Sequence, residues 1–411
     1  MQKRTALVVL FLLLATRNGV AWGQVFGVEL QNNLMPASGG MAGTSISRPQ
    51  DLLSAINANP ATMRQYRGTQ FTFSGAWADA DYHINQTANL PLIGVTPFSA
   101  TSSQPGSLLG NIGVTQGLDE MGLPVTLGAG FISTAGLGVN FRGVPASNDT
   151  ASQILVLQMV GGASISLTEQ LSLGATFQLG TGIMDGPFSG IGAMTNAYGA
   201  RGTVGANYSL TPNTSLGAYW QSAQHFNFNN AAQLPVGPAL DVPMDLPQTV
   251  GIGVANSSLM NGNLLLAVDF VYKQWSTADL FSHVYNDQWA LQFGTQYSLT
   301  PNTRLRLGYA YNENPMRGAT FSTLGGITLP DGIPALRYIQ GQFASVTQHR
   351  ITMGLGVRDF MLNGLDFDMF AGYSFSASDA FATTSASIHD NYWLGAGFTW
   401  RFGAGNPSSG G

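Results

Sequence analysis

The chain contains no cysteine. That excludes a disulfide framework, a thiolate metal site and a thiol nucleophile. Charge is almost as scarce, at 9% of residues, against about 25% in ordinary soluble domains. Disordered chains pair low hydrophobicity with high charge; this one reverses both, with 44% hydrophobic residues, and therefore folds. Long apolar runs are missing too. Beyond the N-terminus none reaches the ~18 residues that a membrane helix needs. Low charge without a spanning helix leaves a closed barrel as the membrane solution, because backbone polar groups in lipid must be paired internally. His83, His225, His283, His349 and His389 are scattered without metal-ligand spacing. No Gly-x-Ser-x-Gly elbow and no phosphate-binding loop occurs. The sequence thus points to no catalytic residue, no metal, no cofactor and no enzyme.

What is present begins with an export address. Lys3 and Arg4 precede an apolar run from Ala6 to Ala15, and Ala21-Trp-Gly23 has the small-x-small form of a cleavage site. Residues 1–23 read as a signal peptide, and the mature chain starts at Gln24. Cleavage removes three cations and no acid, so the net charge falls from −5 to −8 and Lys273 becomes the only lysine. No basic surface remains to bind nucleic acid. Export without cysteine suits the outer membrane of a Gram-negative bacterium.

The organising stretch is Asp390 to Phe402. Side chains alternate across a strand. One face is Tyr392, Leu394, Ala396, Phe398, Trp400 and Phe402; the other is Trp393, Gly395, Gly397, Thr399 and Arg401. An apolar, aromatic-ended face opposite small or polar residues fits the last strand of a membrane barrel, with lipid outside and a polar lumen inside. From Thr69 onward, roughly fourteen such segments appear, each near the ~9–11 residues of a tilted barrel strand. Tyr208-Ser-Leu-Thr-Pro-Asn-Thr214 recurs as Tyr297-Ser-Leu-Thr-Pro-Asn-Thr303. Thr-Pro-Asn-Thr is turn chemistry, and we read it as the short periplasmic turns. The irregular stretches 85–107, 186–194, 229–243 and 314–346 alternate with them and read as extracellular loops. Residues 24–68 do not alternate. Asp51 is placed to cap a short helix over Leu52–Asn57 ahead of Pro60, and the small, moderately apolar composition suits a plug in the lumen. The expected organisation is a signal peptide over 1–23, a plug over 24–68, an all-β transmembrane antiparallel barrel of about 14 strands over 69–402, and a disordered tail over 403–411.

Several segments, taken in order, resemble the FadL/TodX family of outer-membrane transporters of long-chain fatty acids and hydrocarbons. Ser54-Ala-Ile-Asn-Ala-Asn59-Pro60-Ala61 is similar to the family's Asn-Pro-Ala hatch motif. Asp245-Leu-Pro-Gln-Thr-Val-Gly-Ile-Gly-Val254, Val268-Asp-Phe-Val-Tyr-Lys-Gln-Trp275-Ser276, Leu307-Gly-Tyr-Ala-Tyr-Asn-Glu-Asn-Pro315 and Leu329-Pro-Asp331 resemble later motifs. Thr62, where many members have Gly, and the tail after Phe402 depart from the pattern. The resemblance implies a monomeric barrel in contact with outer-membrane lipid and lipopolysaccharide. It implies passive uptake of a hydrophobic small molecule, with Asn59, Pro60 and Ala61 in a gating hatch. Release would be lateral, through a gap made by a kink in the third strand, expected over 124–141. There Gly128, Gly130, Gly136 and Gly138 lie close together and would let the strand bend or lose ladder bonds, although glycine is abundant throughout, with 52 in the chain.

Lumen-side charges are the remaining candidates. Arg304, Arg306, Arg350, Arg358, Asp366, Asp368 and Arg401 fall on successive strands, and Asp269 shares a face with Lys273. Their balance of signs favours mutual pairing across the wall. Lys273, with Arg304 and Arg306 behind it, is the first choice for a ligand contact. A general or small-solute porin is the alternative function, and an outer-membrane phospholipid hydrolase a third.

Overall fold

The computed structural model describes residues 29–186, 194–233, 237–317, 323–324, 327–328 and 333–402. Residues 1–23, expected as a signal peptide, the first residues of the expected plug (24–28), most of the stretch 186–194, the tail over 403–411 and the Leu329-Pro-Asp331 motif lie outside them.

Fourteen antiparallel strands close into a barrel. They are β1 (Thr69–Gln86), β2 (Ser107–Gly117), β3 (Val125–Asn140), β4 (Ala151–Ser166), β5 (Leu171–Asp185), β6 (Thr195–Thr211) and β7 (Thr214–Gln221). The second half comprises β8 (Gln248–Leu259), β9 (Leu264–Gln274), β10 (Gln288–Thr300), β11 (Thr303–Asn312), β12 (His349–Val357), β13 (Leu365–Ser374) and β14 (Thr384–Phe402). Each pairs with its sequence neighbour, and β14 returns to β1 in a register running from Thr69↔Phe402 to Gln86↔Thr384. This is the architecture of an outer-membrane β-barrel, which leaves no sheet edge unpaired in lipid.

The sequence alternation sorts the two faces. Phe73, Phe177 and Leu307 are 58%, 62% and 60% exposed on the outside. Their inward neighbours Thr72, Gln178 and Arg306 are buried. Both repeats form the same turn. The Thr211 hydroxyl oxygen accepts from the Asn213 and Thr214 amides, and that of Thr300 accepts from Asn302 and Thr303. These turns share an end of the barrel with Thr69 and Phe402, the end that faces the periplasm in bacterial barrels.

Residues 29–66 lie against the inner face around almost the full circumference. Helix α1 (Leu52–Asn57) is capped by Asp51, whose side chain accepts from the Ser54 amide. Leu53 packs on Gly113 of β2, Met63 on Gly128 of β3, and Ile46 on Gly217 and Gly253 of β7 and β8. Thr44 meets Gly294 of β10, Ala42 meets Gly308 of β11, and Pro36 meets Gly397 of β14. The inward glycines are what allow this close approach. A Cβ at Gly294 would stand 2.0 Å from the Thr44 hydroxyl, and one at Gly308 2.3 Å from the Ala42 nitrogen.

Glycine also lets charges meet across a strand. Arg306 of β11 donates to Asp368 of β13 at 2.6 Å, although β12 runs between them. The intervening residue is Gly356, where a Cβ would fall 2.5 Å from the Asp368 carboxylate. Gly356→Ala should therefore push the pair apart and lower stability by about 1–3 kcal/mol, the usual cost of overpacking. Denaturant unfolding in detergent, followed by tryptophan fluorescence, reads this; an unchanged midpoint would contradict it.

Two stretches expected as outer loops fold inward instead. Within 229–243, residues 229–232 and 240–243 belong to a hairpin of Gln224–Ala232 with Leu240–Leu246, laid on inner-face glycines. A Cβ at Gly180 would meet Gln224, and one at Gly182 would meet Phe228. Within 314–346, helix α2 (Ile333–Gln342) buries Leu336, Tyr338 and Ile339.

Candidate apolar conduit and wall break

The wall is not paired evenly. All of β2 from Ser107 to Gln116 is in register with β1. Its ladder with β3 covers only Ile112↔Phe131 to Gly117↔Thr126. Beyond Phe131, β4 is the only barrel strand in ladder with β3, Ala135 bridges to Glu29 of the N-terminal segment, and the register with β4 shifts between Ser133 and Ala135. Thr134 is the extra residue of a β-bulge, the device that bends a strand. The bend is held from both sides. Asn111 Oδ1 accepts from the Ser133 amide at 2.9 Å, and the Leu30 amide donates to the Thr134 carbonyl at 2.9 Å. Gly128 and Gly130 lie below the bulge, in the doubly paired part; Gly136 and Gly138 lie above it, opposite Leu155 and Gln153. The four glycines thus bracket the break.

An apolar cluster reaches it from the loop-bearing end. Ala135, Ile154 and Val156 join Phe226, Phe228 and Leu246 of the tucked hairpin, then Trp275, Phe281 and Tyr285, and Leu336 and Ile339 of α2. Trp275 meets Phe281 and Tyr285 edge-on, each at 5.1 Å. Such aromatic packing forms an apolar body whose polar tips are tied at its edge, Trp275 Nε1 to Gln288 and the Tyr285 hydroxyl to the Phe343 carbonyl.

Below this cluster the lining turns polar. Glu29 is buried and pairs with Arg201 of β6 at 3.0 Å and Lys273 of β9 at 2.9 Å. Burial alone would raise the Glu29 carboxyl, but the two cations outweigh it and hold it below the ordinary range. Asp269 accepts from the Ser45 and Ile46 amides at 2.6 and 2.9 Å. The Asn59 amide group donates to the Ile46 and Ala206 carbonyls at 2.7 and 3.0 Å. Its oxygen caps Ala61, whose carbonyl accepts from Ser164 and Ser172. Pro60 lies against Gly174. The motif residues therefore tie residues 29–66 to β4, β5 and β6.

Of the three candidate ligand contacts, Lys273 is engaged by Glu29 and Arg306 by Asp368. Arg304 faces a separate polar cavity of about 550 Å³ at the short-turn end. Sequence reasoning missed Glu29, which stands outside every alternating segment; its only signal was being an acid in an otherwise charge-poor stretch.

Comparison with solved structures follows the same geometry. The P. putida toluene transporter TodX superposes with a TM-score of 0.67 over 90% of this chain and 99% of its own, at 17% identity. The chain has the FadL/TodX fold. A Pseudomonas aeruginosa FadL homologue matches with a TM-score of 0.67 at 14% identity, over 92% of this chain and 100% of its own. The CymD monoaromatic hydrocarbon channel matches at 0.58 and 14%, over 92% and 99%. No protein-family model matches the sequence, and no curated protein matches it. At such identities the FadL/TodX likeness is one of backbone course.

Proposed function

We propose that this protein is an outer-membrane channel for passive uptake of hydrophobic small molecules, released sideways into the bilayer at the β2–β3 break. The observation that carries the reading is the end of the β2–β3 ladder at Ile112↔Phe131, beside an apolar cluster that includes Ala135. Burial stabilises an apolar chain by about 0.8 kcal/mol per CH₂, so a water-filled exit would cost that much again for every methylene. An apolar path opening sideways avoids rehydration. Residues 24–68 serve as the hatch in this reading, with Asn59, Pro60 and Ala61 as its anchor and small-solute leakage blocked while they are seated. The similar folds of a toluene transporter and a monoaromatic hydrocarbon channel support a hydrocarbon cargo.

Glu29 favours neutral cargo over fatty acids. Two cations of the inner wall, Arg201 and Lys273, already hold its carboxylate, so an incoming carboxylate drawn to them has to displace an internal one. The test is uptake of labelled toluene and, separately, labelled oleate by a host lacking its own hydrophobic transporter. We expect toluene uptake well above the empty-vector control and oleate uptake lower. Glu29→Gln should raise oleate several-fold relative to toluene. Uptake of neither compound, with large ion conductance in planar bilayers, would replace this reading with a porin.

A further inference from the structure

The cavity at the short-turn end has a different chemistry from the conduit. It is roofed by residues of the N-terminal segment, among them Arg48 and Tyr66, and walled by Arg304 of β11 and Arg358, which directly follows β12. Arg304 stands opposite Gly356, two residues from Arg358, so the two side chains emerge from adjacent strands. The chain as a whole is acidic at −5, yet here cations outnumber free carboxylates. Asp51 is committed to the amides of Ala37, Ser38 and Ser54. Asp366 is held by Arg401 and Asp368 by Arg306. Arg48 donates to the Ser257 hydroxyl. Among the described residues, neither the Arg304 nor the Arg358 guanidinium makes a hydrogen bond or an ion pair.

Other cations on the barrel strands, Arg201, Lys273, Arg306 and Arg401, each meet a carboxylate. Two neighbouring guanidiniums without one repel each other, and that repulsion is relieved when an anion sits between them. The planar guanidinium fork matches carboxylate and phosphate oxygens in pairs. We propose that this vestibule binds a small soluble oxyanion, a carboxylate or a phosphate ester, clamped by Arg304 and Arg358. With Arg48 on the roof, a bound anion would also draw the N-terminal segment toward the wall.

Calorimetric titration of the purified full-length mature barrel in detergent, with inorganic phosphate and separately with succinate at constant ionic strength, tests this. At least one anion should bind saturably, and which one does assigns the class. Arg358→Gln, at an exposed position just beyond β12, should weaken binding at least tenfold. The double change Arg304→Gln with Arg358→Gln should abolish it. Arg67→Gln, an exposed cation that does not line the cavity, should leave it unchanged. No saturable heat from the wild type, an unaltered Arg358→Gln variant, or an equal loss in Arg67→Gln would each overturn the site. The titration reads nothing of hydrocarbon passage, so this inference and the proposed function fail separately.

Discussion

Deleting Thr134 alone should reduce hydrocarbon uptake at least tenfold while the barrel still folds. The reason lies in the register of β3 and β4. Ser133 pairs with Leu157 and Ala135 with Val156, so the partners on β4 are consecutive while those on β3 are not. Removing the extra residue makes the two pairs contiguous without shifting any residue above or below. Ala135 keeps Val156 and its inward face, and the reason for the local bend is gone. A straight β3 would then run alongside Ser107–Asn111 of β2, which have no ladder partner on that side and meet β3 only through the Ser133 contacts to Asn111 and Gly110, and the ladder could continue across the present gap. Thr134→Ala keeps the extra residue and its carbonyl, which accepts from Leu30, and should keep uptake near wild type. Labelled toluene uptake measures both variants, with heat-modifiable gel migration reporting the folded barrel. A folded deletion variant that transports normally would remove the β2–β3 break as the exit.

Much of this fold could be read before any coordinates because a membrane barrel separates its two environments sharply. Lipid demands apolar residues at every second position, so Leu171 to Leu179 or Trp289 to Leu299 declare their faces one residue at a time. The Thr-Pro-Asn-Thr repeats were legible because the turn is made locally, by a Thr hydroxyl and the next amides. Asp51 was legible as a cap for the same reason. What escaped was whatever depends on residues far apart in the chain. The Gln224–Leu246 hairpin looks like any loop until Gly180, Gly182 and Gly199 are seen to make room for it. Mutual pairing of wall charges was expected between adjacent strands, and Arg401 does pair with Asp366 that way, but Arg306 reaches Asp368 over Gly356, and Lys273 turns to Glu29 in the segment inside. The four glycines of β3 lie on the strand that carries the bulge, but the bulge itself sits at Thr134, which no propensity singles out.

Asp269→Ala should loosen the N-terminal segment more than any other single change in the wall. One carboxylate oxygen, Oδ2, accepts from both the Ser45 and Ile46 amides, and both residues are buried. Truncation leaves two donors without a partner at about 1–3 kcal/mol each, or roughly 2–6 kcal/mol together. The barrel ladder through Asp269 is made by its backbone, opposite Gly253 and Gln292, so the strands remain paired and the loss falls on the seating of the segment. We expect faster proteolysis within residues 29–66 and increased entry of small polar antibiotics, with the barrel intact on gels. Asp269→Asn separates hydrogen bonding from charge, because its amide oxygen still accepts while the negative charge is gone. If the two amide bonds hold the segment, Asn should behave nearly as wild type and Ala alone should leak. If Asn and Ala leak equally, charge does the holding and the pair of hydrogen bonds is incidental. If neither leaks, the glycine-lined contacts at Gly217, Gly294 and Gly308 suffice to keep the segment in place, and gating has to be sought at the Asn59 anchor instead.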